Sequence, residues 1–211
     1  MTASQVFVFD IDGVIRSFQP ERMAARLDAE LGLTVGTIEE QAFAEPFGRD
    51  VVEGRMTRAE WVGELSERFA ARSRDANAAR SIVAEWSTDI GQLIPETMEL
   101  IDELAREHPV FAFTNGTDCT LNELTTHGII DRFRHVINSY ELGISKPEPG
   151  SYPLAHAQIE RTLGQTVSAE SVHFTDDRAD NIEAASTFGW WARQFTDAAA
   201  LRASLASAVT S

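Results

Sequence analysis

Asp10 and Asp12 stand one residue apart, directly after a short apolar run, Val6-Phe7-Val8-Phe9. Carboxylates at the rim of a low-dielectric core raise each other's pKa unless a cation or strong donors hold them. Residues i and i+2 of a strand share a face, and Gly13 permits the chain to turn just beyond them. The pattern predicts two carboxylates facing one small volume that suits a divalent cation.

Three further polar clusters could join them. Thr114-Asn115-Gly116 follows a second apolar run, Lys146 lies in Ser145-Lys146-Pro147-Glu148-Pro149, and Asp176-Asp177 precedes Asn181 by one helical turn. Each has an ordinary explanation when taken singly: turn chemistry for the first, a solvated loop residue for the lysine, a helix cap for the paired aspartates. In an open parallel sheet, however, ligands bind beyond the carboxyl ends of the strands. All four clusters fall at such ends.

The elements that must position them can be read from the patterning. Residues 6–11 read as a fully buried strand. The block from Pro20 to Ile90 is rich in Ala, Glu and Arg and reads as helical, without a strand signal. Pro20 can open a helix running to about Leu31. Thr57 with Glu60 forms a capping-box pattern, and Trp61, Leu65 and Phe69 make one apolar stripe. Another helix is expected over Ala76–Ile90. From Pro95 helices and strands alternate: helix 96–107, strand 110–113, helix 117–127, strand 136–137, helix 151–163, strand 171–175, helix 178–188, strand 190–195 and a final helix from Asp197. Such alternation predicts an α/β fold, a Rossmann-like parallel sheet with helices on both faces. Residues 1–15 and 91–211 would build it, with 16–90 as a small helical domain inserted after the first strand.

Bulk properties narrow the partners. The 211 residues carry 18 Lys and Arg against 33 Asp and Glu, a net charge of −15. That balance opposes non-specific binding to nucleic acid or to an anionic membrane. An anionic substrate would need a local cation or a metal. One cysteine, Cys119, rules out a disulfide within the chain. Residues 1–5 lack the pattern of a secretory leader and no segment has the length of a membrane helix, so a cytoplasmic location is expected. The five histidines show no metal-ligand spacing. Nothing decides between monomer and homodimer.

Asp10-x-Asp12-Gly13-Val14, Thr114-Asn115-Gly116, Lys146-Pro147 and Asp176-Asp177-x-x-x-Asn181, in that order, resemble the haloacid dehalogenase superfamily from about Val6 to Phe195. The helical insertion looks like the superfamily's small cap of the first type. The resemblance implies that Asp10 is a nucleophile forming an aspartyl-phosphate and that Asp12 is the general acid and base. Thr114, the backbone N–H of Asn115 at the start of a helix, and Gly116 would hold phosphate. Lys146, aimed by a proline-stiffened loop, would neutralise charge on phosphate and on Asp10. Mg²⁺ would be held by Asp10, the carbonyl of Asp12 and Asp177, with Asp176 and Asn181 in support. The implied activity is Mg²⁺-dependent hydrolysis of small phosphorylated metabolites.

Metal-free dehalogenases of this type resemble the chain at the nucleophile but lack the second aspartate. Phosphomutases keep both aspartates but need a phosphate-gripping cap, which the sequence does not reveal. A non-catalytic, partner-binding relative would have no need of every motif position. A phosphoryl-accepting receiver domain would place its acidic pair at the first strand, whereas here the pair comes last. Arg16, Phe18, Phe47 and Arg49 flank the junction with the insertion and could read a leaving group or simply form a hinge. Trp190-Trp191 is expected to pack a strand end, and Cys119 to be a packing residue.

Overall fold

Val6–Phe9 (β1) is apolar at every position because both of its faces are covered. In the computed structural model, which describes residues 5–18 and 23–209, Phe7 and Phe9 pack with Leu100, Ile101, Val110 and Leu124 on one side. Val6 and Val8 pack with Phe111, Phe113, Tyr152 and Phe174 on the other. This is the period-2 alternation of a central strand between two helical layers.

After β1 the chain makes a two-residue strand, Arg16–Ser17 (β2), and then a run of helices: Met23–Glu30 (α1), Thr37–Ala42 (α2), Phe47–Val52 (α3), Arg58–Ala70 (α4) and Ala76–Trp86 (α5). The strand Gln92–Leu93 (β3) closes the excursion by pairing antiparallel with β2. The helix expected to open at Pro20 is described only from Met23; Pro20 itself lies outside the described residues. Leu27, Ile38, Val51, Trp61, Leu65 and Val83 form a separate apolar core for these helices. The Thr57–Glu60 capping box is present in full.

The remaining elements are Pro95–Leu104 (α6), Val110–Thr114 (β4), Thr120–Thr126 (α7), Val136–Asn138 (β5), Ser139–Leu142 (α8), Ser151–Leu163 (α9), Val172–Asp176 (β6), Ala179–Phe188 (α10), Trp191–Gln194 (β7) and Ala198–Val209 (α11). Five strands form a parallel sheet in the order β5-β4-β1-β6-β7. The chain leaves β1 in one direction and returns to β6 on its other flank. The order therefore reverses beside β1, where doubly wound sheets bind ligands. No helix among the described residues is long and apolar enough to cross a membrane.

Several boundaries differ from expectation. The first strand stops at Phe9 rather than at residue 11, because Ile11 begins a turn whose carbonyl accepts from Ile15 N and Arg16 N. The helix expected from Thr117 starts at Thr120 instead. The Thr120 hydroxyl accepts from Thr117 N and the Thr117 hydroxyl accepts from Cys119 N, holding a turn that helical geometry would break. Asn115 therefore does not open a helix. The two-residue strands β2 and β3 are too short to carry a periodic signal.

Candidate active site

Asp10 leaves the end of β1 with its N–H donated to the Thr175 carbonyl at 2.8 Å. Its carboxylate turns into the rim, where Oδ1 accepts from Ile11 N at 2.7 Å and lies 3.0 Å from Lys146 Nζ. Lys146 is 3% exposed. Its ammonium has three donors and meets three acceptors: Asp10, Asp176 Oδ2 at 2.6 Å and the Phe113 carbonyl at 2.9 Å. A buried ammonium is costly unless each proton is matched, and here each one is.

The backbone of Lys146 is fixed as firmly as its tip. Asn115 Oδ1 accepts from Lys146 N and Asn115 Nδ2 donates to Lys146 O, both at 2.8 Å. The loop is thus stapled beside Thr114, the buried last residue of β4. Proline stiffness alone does not aim the lysine; the amide of Asn115 supplies that orientation. Gly116 is hemmed in from the other side. A Cβ there would lie 2.3 Å from the Thr120 hydroxyl and 2.8 Å from Asn138 Oδ1.

Asp176 is fully buried as the last residue of β6. It accepts from Lys146, from Asn181 Nδ2 at both oxygens and from Arg178 N. That leaves it little capacity for a further ligand. Asp177, next in the chain, is exposed, and its Oδ2 lies where a Cβ on Gly13 would be, at 2.4 Å. Asp10, Asp176 and Asp177 each present an oxygen, and these oxygens lie within 4.8 Å of one another. Asn181 Oδ1 is buried beside them without a hydrogen-bond partner. An oxygen-only set with an orphaned acceptor nearby fits a hard, hydrated divalent cation.

Electrostatics agree. Burial pushes the Asp10 carboxyl up to about 8; Lys146 opposes the shift, while Asp176 and Asp12 add to it. Burial likewise raises Asp177, with Asp176 as the next cause. Burial alone would lower the Lys146 ammonium, but Asp10 and Asp176 outweigh it and the net shift is upward. The cluster holds more negative charge than one ammonium offsets.

The expectation that the Asp10 and Asp12 carboxylates share one cation-sized volume needs correction. Asp12 follows the end of β1 and forms an isolated bridge with Arg16. Its carboxylate, 43% exposed, accepts from Arg16 Nε at 2.5 Å. It lines the cleft without joining the three-carboxylate group. Arg16 is buried and also donates to Glu123 Oε2 at 2.8 Å and to the Ile90 carbonyl at 3.2 Å. Glu123 accepts from Arg58 of α4 as well. A second buried link joins the helical unit to the lysine loop: Glu53 Oε1 accepts from Ser145 N at 3.1 Å and from its hydroxyl at 2.8 Å.

Sequence reasoning reached Arg16 only as a junction residue and missed Glu53, Arg58 and Glu123. Charged residues in a helix or at its end, as Glu53 is after α3, carry no local mark of burial. A charge that falls on the apolar face, as Glu123 does beside Leu124, was the available signal. Cys119 immediately precedes α7, but its thiol is pushed up, chiefly by burial and then by Asp118, so it is not an activated nucleophile.

The cleft over this cluster measures about 500 Å³ and is lined by Asp10, Asp12, Thr114, Lys146, Asp177 and Asn181, among others. A family model described as haloacid dehalogenase-like hydrolase matches residues 5–189. No curated protein matches the chain. Among solved structures, a HAD family enzyme from Bacteroides thetaiotaomicron, in complex with magnesium and inorganic phosphate, is similar at 17% identity. That match covers 92% of this chain and 95% of that one, with a TM-score of 0.69. A HAD-like family hydrolase from Porphyromonas gingivalis is 20% identical over 92% and 91% of the two chains, with a TM-score of 0.66. An L-2-haloacid dehalogenase from Xanthobacter autotrophicus, with chloropropionic acid covalently bound, is 19% identical over 90% and 77%, with a TM-score of 0.62.

Proposed function

The chain belongs to the haloacid dehalogenase-like hydrolases, and on that premise we propose that it hydrolyses small phosphomonoesters with the aid of Mg²⁺. The observation that carries this reading is the pairing of two chemically distinct carboxyl groups in one cleft. Asp10 is buried against Lys146, and Asp12 stands outside the cation-sized cluster. Displacement of halide from carbon needs only the first. Transfer of a phosphoryl group to Asp10 needs a proton for the departing alcohol, which the second can supply. The Bacteroides relative holding magnesium and phosphate supports the choice.

Asp10 Oδ1 is committed to Ile11 N–H and Lys146, which leaves Oδ2 to attack phosphorus. Lys146 holds charge on Asp10 and on the phosphoryl oxygens, and the Thr114 hydroxyl with the backbone N–H of Asn115, in the same cleft, holds phosphate oxygens. Asp12 gives its proton to the leaving oxygen and then takes one from the water that cleaves the aspartyl-phosphate. Asp10 and Asp177, with the Asp12 carbonyl, would hold Mg²⁺, which when bound offsets the surplus negative charge of carboxylates and phosphate. Asp176 and Asn181 orient that set through their mutual hydrogen bonds. The helical unit spanning 16–90 acts as a cap that excludes water and bulky substrates.

Phosphate release from an aryl phosphate is expected to require Mg²⁺, to stop with EDTA and to be lost in Asp10→Asn. Undiminished turnover in that variant would refute the reading, and halide release without metal would replace it with dehalogenation.

A further inference from the structure

The cleft continues on the Asp12 side into a second cavity of about 210 Å³, bounded by residues of the helical unit. Asp12 and Asn115 line both spaces, so the two adjoin at the group that meets the leaving oxygen. Phe18, Phe43, Trp61 and Trp86 form much of the wall. Trp61 lies 5.5 Å from Phe43 and 5.6 Å from Trp86 between ring centres. Its indole N–H is already donated to the Ala42 carbonyl. Trp61, Phe18 and Phe43 therefore offer carbon surface rather than free donors. An apolar cavity of about 150 Å³ accepts a benzene molecule, so this one has room for a single ring with a short substituent.

The charges at its edge point in one direction. Arg16 and Arg58 reach the cavity, but both are engaged. Arg16 binds Asp12, Glu123 and the Ile90 carbonyl. Arg58 binds Glu123 and the Ser87 carbonyl. Glu39 and Asp89 line the same space, and neither forms an ion pair among the described residues. Burial, then Asp28, pushes the Glu39 carboxyl upward, as expected of a carboxylate that lacks a cation. Aromatic faces and an unpaired carboxylate attract an ammonium group and repel a second anion.

We propose that this cavity receives the alcohol portion of the substrate and selects a compact, ring-sized, apolar group that bears an ammonium and no second negative charge. The selectivity rests on the phosphomonoesterase reading and narrows it. Sugar phosphates, which need many hydrogen-bond partners, and bisphosphates, which need free cations, fit the walls poorly.

A para-substituted series varies charge on one ring scaffold: 4-(aminomethyl)benzyl, 4-methylbenzyl and 4-carboxybenzyl phosphate, with glucose 6-phosphate as the polyol. With Mg²⁺ present, kcat/KM is expected to fall in that order across the three benzyl esters, by at least tenfold from ammonium to carboxylate. Glucose 6-phosphate should fall below the methyl ester. Glu39→Gln should shrink the ammonium-to-carboxylate ratio at least threefold, which the overall charge of the chain cannot explain. A carboxylate or glucose ester cleaved as well as the ammonium ester, or a ratio unchanged in Glu39→Gln, overturns the proposal.

A second readout needs no turnover. Tryptophan fluorescence, titrated with 4-methylbenzylamine and with 4-methylbenzoate, should respond to the amine at tenfold lower concentration. Equal responses overturn the proposal. Discrimination between amine and acid with no ester cleaved would instead uphold the cavity's selectivity and refute the phosphatase reading.

Discussion

Arg16 grips the Asp12 carboxylate through Nε at 2.5 Å, and with Nη1 the same buried guanidinium holds Glu123 at 2.8 Å. Arg16 belongs to the two-stranded β2–β3 sheet, Glu123 to the α/β core, and Arg58, the other partner of Glu123, to the helical unit. One network therefore sets the position of the second aspartate and the seating of the helices together.

Arg16→Met removes the only cation bonded to Asp12 among the described residues and half of the compensation for a buried Glu123. Breaking a buried pair from one side costs about 3–5 kcal/mol; Arg58 remains, so a loss of about 2–4 kcal/mol is expected in urea denaturation. A displaced Asp12 should also lower kcat by roughly 10- to 100-fold, the order expected when a catalytic group is misplaced by about an ångström. A fully stable, fully active variant would show that the network is incidental.

Lys146→Met probes the deepest part of the site. It leaves Asp10 and Asp176 buried against each other without their shared ammonium. Activity should vanish, and metal-free stability should fall by about 3–5 kcal/mol. Mg²⁺ should then raise the melting temperature of the variant more than that of the unaltered protein, because ligand binding to the folded state alone adds stability. Calorimetry with and without Mg²⁺ reads this directly; equal shifts in both proteins would count against a cation at the three carboxylates.

Gly13 has φ +86°, and a methyl group there would fall 2.4 Å from Asp177 Oδ2 and 2.6 Å from its Cγ. Gly13→Ala therefore incurs backbone strain of about 1–2 kcal/mol and displaces a carboxylate that we place on the metal. The Mg²⁺ concentration for half-maximal activity should rise at least tenfold, while Gly128→Ala, at φ +70° with open space around it, should cost stability without changing that concentration. Identical Mg²⁺ dependence in the two variants would separate Gly13 from the metal site.

The chain disclosed its parallel sheet because β1, β4 and β6 are short, wholly buried runs set apart by helical spacing. It disclosed the cleft because Asp10, Thr114 and Asp176 stand at the ends of such runs, where topology brings them together, while Lys146 reaches them from the loop beyond α8. It did not disclose the side-chain bonds that fix them. Asn115 bonds both the backbone N–H and the carbonyl of Lys146 across 31 residues of sequence, and Glu53 reaches Ser145 across 92. Long-range pairings of this kind leave no periodicity. The partner of Asp12 was hidden for another reason: Arg16, four residues on, reads equally well as an exposed hinge residue until β3 covers it.

His173 gives the fold a pH dependence that owes nothing to the site. It is 6% exposed on β6, stacked on Phe7 at 5.0 Å and tilted against Trp191 at 4.7 Å, and its Nδ1 has no hydrogen-bond partner. Burial lowers its pKa from 6.5 to about 4, with His108 and Arg193 adding to the shift. Between those values the unfolded chain binds a proton that the folded chain refuses, so stability is complete above about pH 7 and declines as pH falls toward 4. By pH 5 the loss from this residue should reach about 2 kcal/mol. His173→Leu removes the titration while keeping an apolar group between the rings. The stability difference between the two proteins, measured by urea denaturation at pH 8 and pH 5, should therefore move by about that amount in favour of the variant. A difference that stays constant with pH would mean that His173 titrates alike in both states, and that its burial leaves its protonation unaltered.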